Sequence, residues 1–353
     1  MKALILSGGT GTRLRPLTYT WAKQLLPIAN KPILVHIIEK VVRAGIKDIG
    51  IIVGDTHEEV EAEIGNGSRW GVDITYILQK SPSGLAHAVK IAGSYLQDSD
   101  FLMLLGDNLL EMELKPVMDF FHSSGSNACI LLHKVANPSE YGIAEIDGNI
   151  VKRLVEKPKR YIGDLAVIGV YVFDNTIFSA IEEIQPSERG ELEITDAMQR
   201  LIERGAKVSY QLTSGWWKDT GSARDMLEAN RLVLSGIGGS PQDTDGSTGA
   251  AASVPSGGHG ISVIGSVIHE PVAIGEGAKI LDSIVGPYVS VGKDATIEKC
   301  VIEDSIIMEG TKLINIQGTV RSSLIGKNTT IKGSLDATES SSFIIGDKSK
   351  IEM

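Results

Sequence analysis

The sequence predicts an α/β domain, a Rossmann-like mixed and mostly parallel sheet sandwiched by helices, followed by a parallel β-helix. Three observations carry this: β-type runs alternate with helical patterns up to about residue 234, residues 235–260 are rich in Ser and Gly, and a six-residue aliphatic repeat follows. In the first stretch, residues 3–6, 49–53, 74–78 and 101–105 read as strands, with helical patterns over 33–44, 57–64 and 85–96 between them. Strand, helix, strand in that order sets parallel strands under crossover helices. Residues 128–135, 143–146 and 167–173 add sheet material. Helices over 176–184 and 194–204, a strand over 208–212 and a helix over 223–234 complete the domain. The ligand site of such a sheet lies beyond the carboxyl ends of its strands.

Residues 235–260 run Ser-Gly-Ile-Gly-Gly-Ser-Pro and onward, a composition that buries little surface and predicts a flexible linker. Beyond it an Ile or Val precedes Gly at Ile264-Gly265, Ile274-Gly275, Val285-Gly286, Val291-Gly292, Ile325-Gly326 and Ile345-Gly346. Aliphatics also recur at six-residue steps, as in Ile268, Ile274 and Ile280, and separately Val285, Val291 and Ile297. That period fits a parallel β-helix, each short strand turning one aliphatic inward and glycine easing the corner. The phase slips near 281–285 and 298–302, which predicts irregular coils; a β-sandwich is the competing reading. The domains expected are 1–234, the linker 235–260, and the β-helix 261–353.

At 353 residues, 42% of them hydrophobic, the chain is long enough for two cores. A formal charge of −10 argues against nucleic acid or an anionic membrane as partner, since both favour basic surface. Cys129 and Cys300 sit in apolar runs without CxxC or Cys/His spacing, so both read as buried thiols. With no signal-peptide pattern and no run of membrane-spanning length, a cytoplasmic, soluble protein is expected.

The first strand ends in Leu6-Ser7-Gly8-Gly9-Thr10-Gly11-Thr12-Arg13-Leu14-Arg15-Pro16. Glycines directly after a strand let backbone N–H groups close on phosphates, because no Cβ blocks the approach. The order is neither GxGxxG nor GxxxxGK[ST], so a dinucleotide fold and a P-loop both lose ground. Arg13 and Arg15 set fixed positive charge beside the loop, which suits a polyphosphate; two surface arginines at a helix start are the alternative. Gly106-Asp107-Asn108 ends an apolar strand and puts a carboxylate at the sheet's carboxyl edge, where a lone Asp also reads as a turn or cap. No Ser/His/Asp or Cys/His constellation competes.

Ten residues past Arg13 stands Lys23-Gln24-Leu25-Leu26-Pro27-Ile28-Ala29-Asn30-Lys31-Pro32. Together with the GGxGTRLxPxT loop, this resembles the sugar-1-phosphate nucleotidylyltransferases. Lys-Gln, where guanylyl-transferring members read Lys-Pro, is similar to the thymidylyl branch in its long form, with a left-handed C-terminal β-helix. The resemblance implies dTTP, or UTP, and glucose 1-phosphate as substrates and Mg²⁺ as cofactor. It implies that Arg13 and Lys23 neutralise the triphosphate, with Leu6, Gly8, Gly9, Gly11, Thr12 and Asp107 around the nucleotide. Gln79-Lys80-Ser81-Pro82-Ser83-Gly84-Leu85-Ala86-His87 resembles the base-recognition loop, making Gln79, Pro82 and Gly84 base contacts and His87 a pocket wall. An amide offers one donor and one acceptor to a pyrimidine edge.

Asp219, in Trp216-Trp217-Lys218-Asp219-Thr220-Gly221, resembles the second metal ligand beside Asp107; two carboxylates with phosphate oxygens suit Mg²⁺. Sugar recognition by resemblance falls to Tyr141, Gly142, Glu156, Lys157 and Gly169. Lys157 meets the attacking phosphate, and Arg189 is a phosphate candidate that reads equally as part of a helix start. The resemblance is strong over the first two thirds of the chain and extends to the tail only as a repeat class. A homo-oligomer through the β-helix is expected. Hexapeptide β-helices also carry acyltransferases, but His259 and His269 lack a companion motif.

Overall fold

The computed structural model describes residues 1–97, 99–237, 259–333 and 340–352. Contacts divide the chain into two compact units, Met1–Thr10 with Leu34–Trp217, and Gly11–Ile33 with Lys218–Met353.

The first unit is built on nine strands: β1 (Lys2–Ser7), β2 (Asp48–Val53), β3 (Asp73–Leu78), β4 (Phe101–Leu105), β5 (Ala128–Lys134), β6 (Gly142–Asp147), β7 (Ile150–Glu156), β8 (Leu165–Phe173) and β9 (Val208–Leu212). They form one mixed sheet in the order β3-β2-β1-β4-β8-β5-β9-β7-β6. From β3 to β4 every pairing is parallel, as the crossovers through α1 (Ile33–Arg43), α2 (His57–Ile64), α3 (Leu85–Ile91) and α4 (Gly93–Leu96) require. Beyond β4 the antiparallel pairings begin with β8 on β4 and on β5, while β9 returns parallel to β5. Three further helices follow β4: α5 (Lys115–Ser124), α6 (Thr176–Ile181) and α7 (Ile194–Glu203). A core of Leu4, Val89, Phe101, Met103, Ile130, Phe173, Ile177 and Met198 fills the space between sheet and helices.

Residues 85–96, expected as one helix, are two, because Ala92 sits at φ −79°, ψ 0°, off the helical value. Helix α5 carries Pro in its first turn and buries Val117 and Phe121 four apart, a pattern too short to stand out from its polar neighbours. Strand β7 is hidden by a bulge between Val151 and Arg153, which breaks the period-two alternation that marks a strand.

In the second unit, residues 262–333 and 340–352 form the parallel β-helix, three parallel sheets whose first strands are Ser262–Ile264, Val267–Ile268 and Val272–Ile274. Ile280, Ile297, Leu313 and Ile331 stack inward at 0% exposure, one per coil. Val263 pairs with Ile280 and Ile280 with Ile297, a step of 17 residues, one short of three full hexads. That shortfall is the phase slip seen in the sequence; the next step, Ile297 to Leu313, is 16, and the following ones are 18 and 20.

The same unit contains helix α8 (Ala223–Ile237) and the segment Gly11–Ile33, three single 3₁₀ turns followed by a hairpin of Pro27–Ile28 with Lys31–Pro32. The contacts therefore do not follow a linear division at 234, because a loop from the start of the chain packs among C-terminal residues. Residues 235–237 of the expected linker continue α8, and 238–258 lie outside the described residues.

Candidate active site

Strand β1 delivers Ser7 to the carboxyl edge of the sheet, and the chain leaves it through Gly8 and Gly9. A Cβ on Gly8 would stand 3.2 Å from Gln79 Oε1, and one on Gly54 3.1 Å from the Gly8 carbonyl, so backbone and amide approach here without a side chain between. Gln79 Nε2 lies 3.0 Å from His87 Nδ1 and 3.4 Å from the Gly84 carbonyl. With Nε2 turned to His87, Gln79 presents Oε1 towards the glycine loop. Gly84 (φ 99°, ψ 169°) leads into α3, and the loop is fastened by Leu192 N–H to the Ser83 carbonyl (2.8 Å) and Ala86 N–H to the Leu192 carbonyl (3.0 Å). Pro82 is exposed on this loop, and Leu6 is buried at 8%.

Past β4, Gly106 N–H binds the Leu6 carbonyl at 2.8 Å, where a Cβ would come within 2.7 Å of that oxygen. Asp107 follows, its Oδ1 accepting from Asn108 Nδ2 (2.8 Å), while Trp217 Nε1 donates to Asn108 Oδ1 (2.8 Å). Tyr141 meets the Trp217 ring edge-on at 5.7 Å. Gly142 pairs with Glu156 across β6 and β7, and a Cβ there would strike Thr195 Cγ2 at 2.6 Å. Thr195 Oγ1 donates to Glu156 Oε2 (3.1 Å). Burial, then the neighbouring Glu193 carboxylate, pushes the Glu156 carboxyl above its ordinary range.

Glu193, 4% exposed, accepts from Arg189 Nε (3.1 Å) and Ser187 Oγ (2.7 Å); Arg189 also pairs with Glu191 at 2.8 Å. Arg189 is thus committed to two carboxylates. Lys157 has an exposed side chain on a left-handed backbone (φ 41°), held by its N–H on the Tyr141 carbonyl (3.0 Å). Gly169 lies in β8 where the register with β5 shifts, against Leu105, whose Cγ a Cβ would meet at 2.6 Å.

In the second unit, Lys23 is 6% exposed and its Nζ lies 3.7 Å from Asp219 Oδ1. Gly11 (φ 63°) makes this burial possible, since a Cβ would come within 2.9 Å of Lys23 Cβ. A Cβ on Gly221 would come within 2.8 Å of Arg13 Nη2 and 3.2 Å of Asp219 Oδ2, so Arg13 and Asp219 flank one glycine while Lys23 reaches the other oxygen of Asp219. Thr12 is exposed at the start of the first 3₁₀ turn. Gln24 is 2% exposed, with Oε1 lacking a hydrogen-bond partner among the described residues.

The expected residues therefore fall into two sets. One gathers Gly8, Gln79 and Gly84; with Tyr141, Gly142, Glu156 and Arg189 nearby in contact sequence, it belongs to the first unit. The other, Gly11, Arg13, Lys23 and Asp219, belongs to the second. Sequence reasoning missed Glu193, Thr195, Trp217 and Gln24 as site-forming groups, although Gln24 and Trp217 lie inside quoted motifs. Gln24, Glu193 and Thr195 are marked by burial, which motif spacing does not report, and Trp217 by its contacts with Asn108 and Tyr141. Among the described residues no three His, Cys, Asp or Glu side chains converge on one point.

Residues 2–236 match the family model described as nucleotidyl transferase, and residues 241–316 one described as a GlmU-like C-terminal hexapeptide domain. A glucose-1-phosphate thymidylyltransferase of Streptomyces antibioticus is 44% identical over 357 residues, covering 100% of this chain and 99% of that protein. A low-salt glycan biosynthesis nucleotidyltransferase of Haloferax volcanii is 43% identical over 365 residues and 100% of both chains. Among solved structures, one from Bacillus anthracis described as a glucose-1-phosphate thymidylyltransferase aligns with a TM-score of 0.62 and 37% identity, over 66% of this chain and 94% of that one. A UDP-glucose pyrophosphorylase complexed with UDP-glucose aligns with a TM-score of 0.60 and 26% identity, over 67% of this chain and 98% of that one.

Proposed function

The chain belongs to the nucleotidyl transferase family, and from that premise we propose that it is a glucose-1-phosphate thymidylyltransferase, moving dTMP from dTTP to glucose 1-phosphate and releasing pyrophosphate. Beyond the full-length similarity, the observation that carries the reading is Asp219, which meets buried Lys23 on one oxygen and stands with Arg13 beside Gly221 on the other. A buried ammonium costs free energy unless it is paired. Its place on the loop that follows the Gly8-Gly9 turn is what a polyphosphate needs.

The sugar phosphate oxygen is already anionic, so in-line attack on the nucleotide α-phosphorus needs no general base and no covalent enzyme intermediate. Arg13 and Lys23 meet the charge that grows on the leaving pyrophosphate. Gln79, whose Nε2 is held by His87 and the Gly84 carbonyl, offers Oε1 as the acceptor for a pyrimidine N–H. Glu156 accepts sugar hydroxyls, and Lys157 steers the sugar phosphate. Asp107 and Asp219 would hold Mg²⁺ through hard oxygen donors completed by phosphate and water. Bound there, the ion would neutralise phosphate oxygens. Uracil shares the edge that Gln79 reads, and one methyl is worth only about 1–3 kcal/mol, so UTP is the second substrate to test.

No helix among the described residues is long and apolar enough to cross a membrane. Burial pushes the Cys129 and Cys300 thiols up to about 11; that the two are unbridged supports a reducing, cytoplasmic setting. Val267 and Ile284, paired and half exposed on one face of the β-helix, support assembly of like subunits through it. The deciding assay is pyrophosphate release with Mg²⁺ and glucose 1-phosphate, presenting dTTP, UTP, CTP, GTP and ATP separately. We expect turnover with dTTP and a loss on the order of 10²–10³-fold in kcat for Lys23→Ala. Silence with every triphosphate overturns the function; an unimpaired Lys23→Ala overturns the role of Lys23.

A further inference from the structure

The segment Gly11–Ile33 and the β-helix belong to one compact unit, and the contacts between them are specific. Lys327 Nζ stands over the Trp21 ring at 3.4 Å from its centroid, with its side chain only 22% exposed. Thr20 Oγ1 donates to Asp347 Oδ2 at 2.9 Å, while Asp347 Oδ1 accepts from Lys327 N–H at 2.7 Å. One carboxylate therefore ties two neighbouring coil corners together and takes the loop hydroxyl on its other oxygen. Gly346 lies against Pro16, where a Cβ would come within 3.2 Å of the Pro16 carbonyl oxygen. At the far end of the segment, Asn30 Nδ2 donates to the Ala273 carbonyl (3.1 Å) and the Val291 carbonyl (2.8 Å), and Ala29 N–H donates to Asn230 Oδ1 (2.9 Å), which also accepts from Ser290 Oγ (2.7 Å). Between these two anchorages lie Lys23 and the 3₁₀ turn it begins.

We propose that the β-helix positions the triphosphate-binding loop, with Trp21, Lys327 and Asp347 as positioning residues for nucleotidyl transfer. The inference rests on the assignment of Arg13 and Lys23 to the triphosphate. It makes the tail part of the apparatus that holds the loop, in addition to any role in assembly. A cation over an indole face and a hydroxyl donating to a carboxylate are directional, so each fixes loop orientation as well as loop proximity. Misplacing a catalytic group by about 1 Å costs on the order of 100-fold in rate.

The experiment uses the full chain carrying Trp21→Ala, Lys327→Met, Lys327→Arg and Asp347→Ala, with kcat and KM measured for dTTP and for glucose 1-phosphate. Trypsin cleavage of the Arg13–Leu14 bond, followed by mass spectrometry, reports loop order independently of activity. Trp21→Ala and Lys327→Met should lower kcat by about 10- to 100-fold and cleave several-fold faster at Arg13, with the KM for glucose 1-phosphate unchanged. Lys327→Arg, which keeps a cation over the ring, should restore most of both. Unchanged kcat in Trp21→Ala and Lys327→Met overturns the inference whether or not cleavage accelerates, and leaves the function standing. A wild-type protein without turnover overturns the function instead, while unchanged cleavage in the variants would separately overturn the anchoring.

Discussion

Replacing Gly84 with Ala tests whether the base-recognition loop is held as the structure describes. Gly84 occupies φ 99°, ψ 169°, a region that costs an L-residue about 1–3 kcal/mol. Its new Cβ would stand 2.4 Å from the Leu192 carbonyl oxygen and 2.7 Å from the Leu192 nitrogen. Both are backbone atoms already bonded to Ala86 and Ser83, so neither can retreat without losing a hydrogen bond worth about 0.5–1.5 kcal/mol. Strain and two lost bonds together come to about 2–6 kcal/mol. The loop either keeps its place and lowers stability, or moves and takes the Gly84 carbonyl away from Gln79 Nε2. Gly45→Ala is the control, because Gly45 is also left-handed (φ 88°) but has nothing within 4 Å of its Cβ position, leaving backbone strain alone. Thermal melting and kcat/KM for dTTP should both be measured. Gly84→Ala should lose at least about tenfold in kcat/KM or several degrees in Tm beyond the control. A Gly84→Ala enzyme that matches Gly45→Ala in both would refute the backbone-clash argument.

Two further outcomes follow from the site. Asp107→Asn and Asp219→Asn should each cut turnover by about 100-fold or more and raise the Mg²⁺ concentration needed for half-maximal rate, with unchanged melting; a wild-type Mg²⁺ titration in both would remove these carboxylates from the ion. Glu156 has its proton affinity raised by burial and then by Glu193, so the folded state binds that proton more tightly than the unfolded chain. Its contribution to stability is therefore fully present below the ordinary glutamate value of 4.5 and declines as pH rises from there through the raised folded value. Glu156→Gln removes this slope: the variant should melt higher than wild type at pH 7, and the gain should shrink towards pH 4. Its KM for glucose 1-phosphate should rise about tenfold or more, for the loss of a charged acceptor. A melting difference that does not vary with pH would show that the carboxyl is not the strained group.

Much of the fold was legible because it is written in local periods. The βαβ alternation named the parallel half of the sheet, and aliphatics six apart named the β-helix before any coil was seen. Where the period is broken the reading failed for the same reason: the bulge between Val151 and Arg153 erased the alternation of β7, and the turn at Ala92 was invisible within an apolar run. The association of Gly11–Ile33 with the tail has no local signature at all. Thr20 meets Asp347 across 327 residues of sequence, and exposed polar pairs of that separation leave no periodic trace.

The candidate site was legible as residue types and illegible as energetics. Lys23 stands in a motif whose neighbours are apolar, and only the fold shows why an ammonium can be 6% exposed there: Gly11 leaves room beside its Cβ and Asp219 answers its charge. Glu193 is a second case, a carboxylate at 4% exposure held by Arg189 and Ser187, and its charge in turn raises the proton affinity of Glu156. Burying either group alone would cost several kcal/mol, so each must be matched by a partner set that does nothing for the hydrophobic core. Chains hold such groups where fixed charge has to be ready before the substrate arrives, because a preorganised charge needs no reorganisation as the reaction proceeds. Arg189 accordingly acts first on Glu193, and any contact it makes with a phosphate has to compete with the carboxylates it already holds.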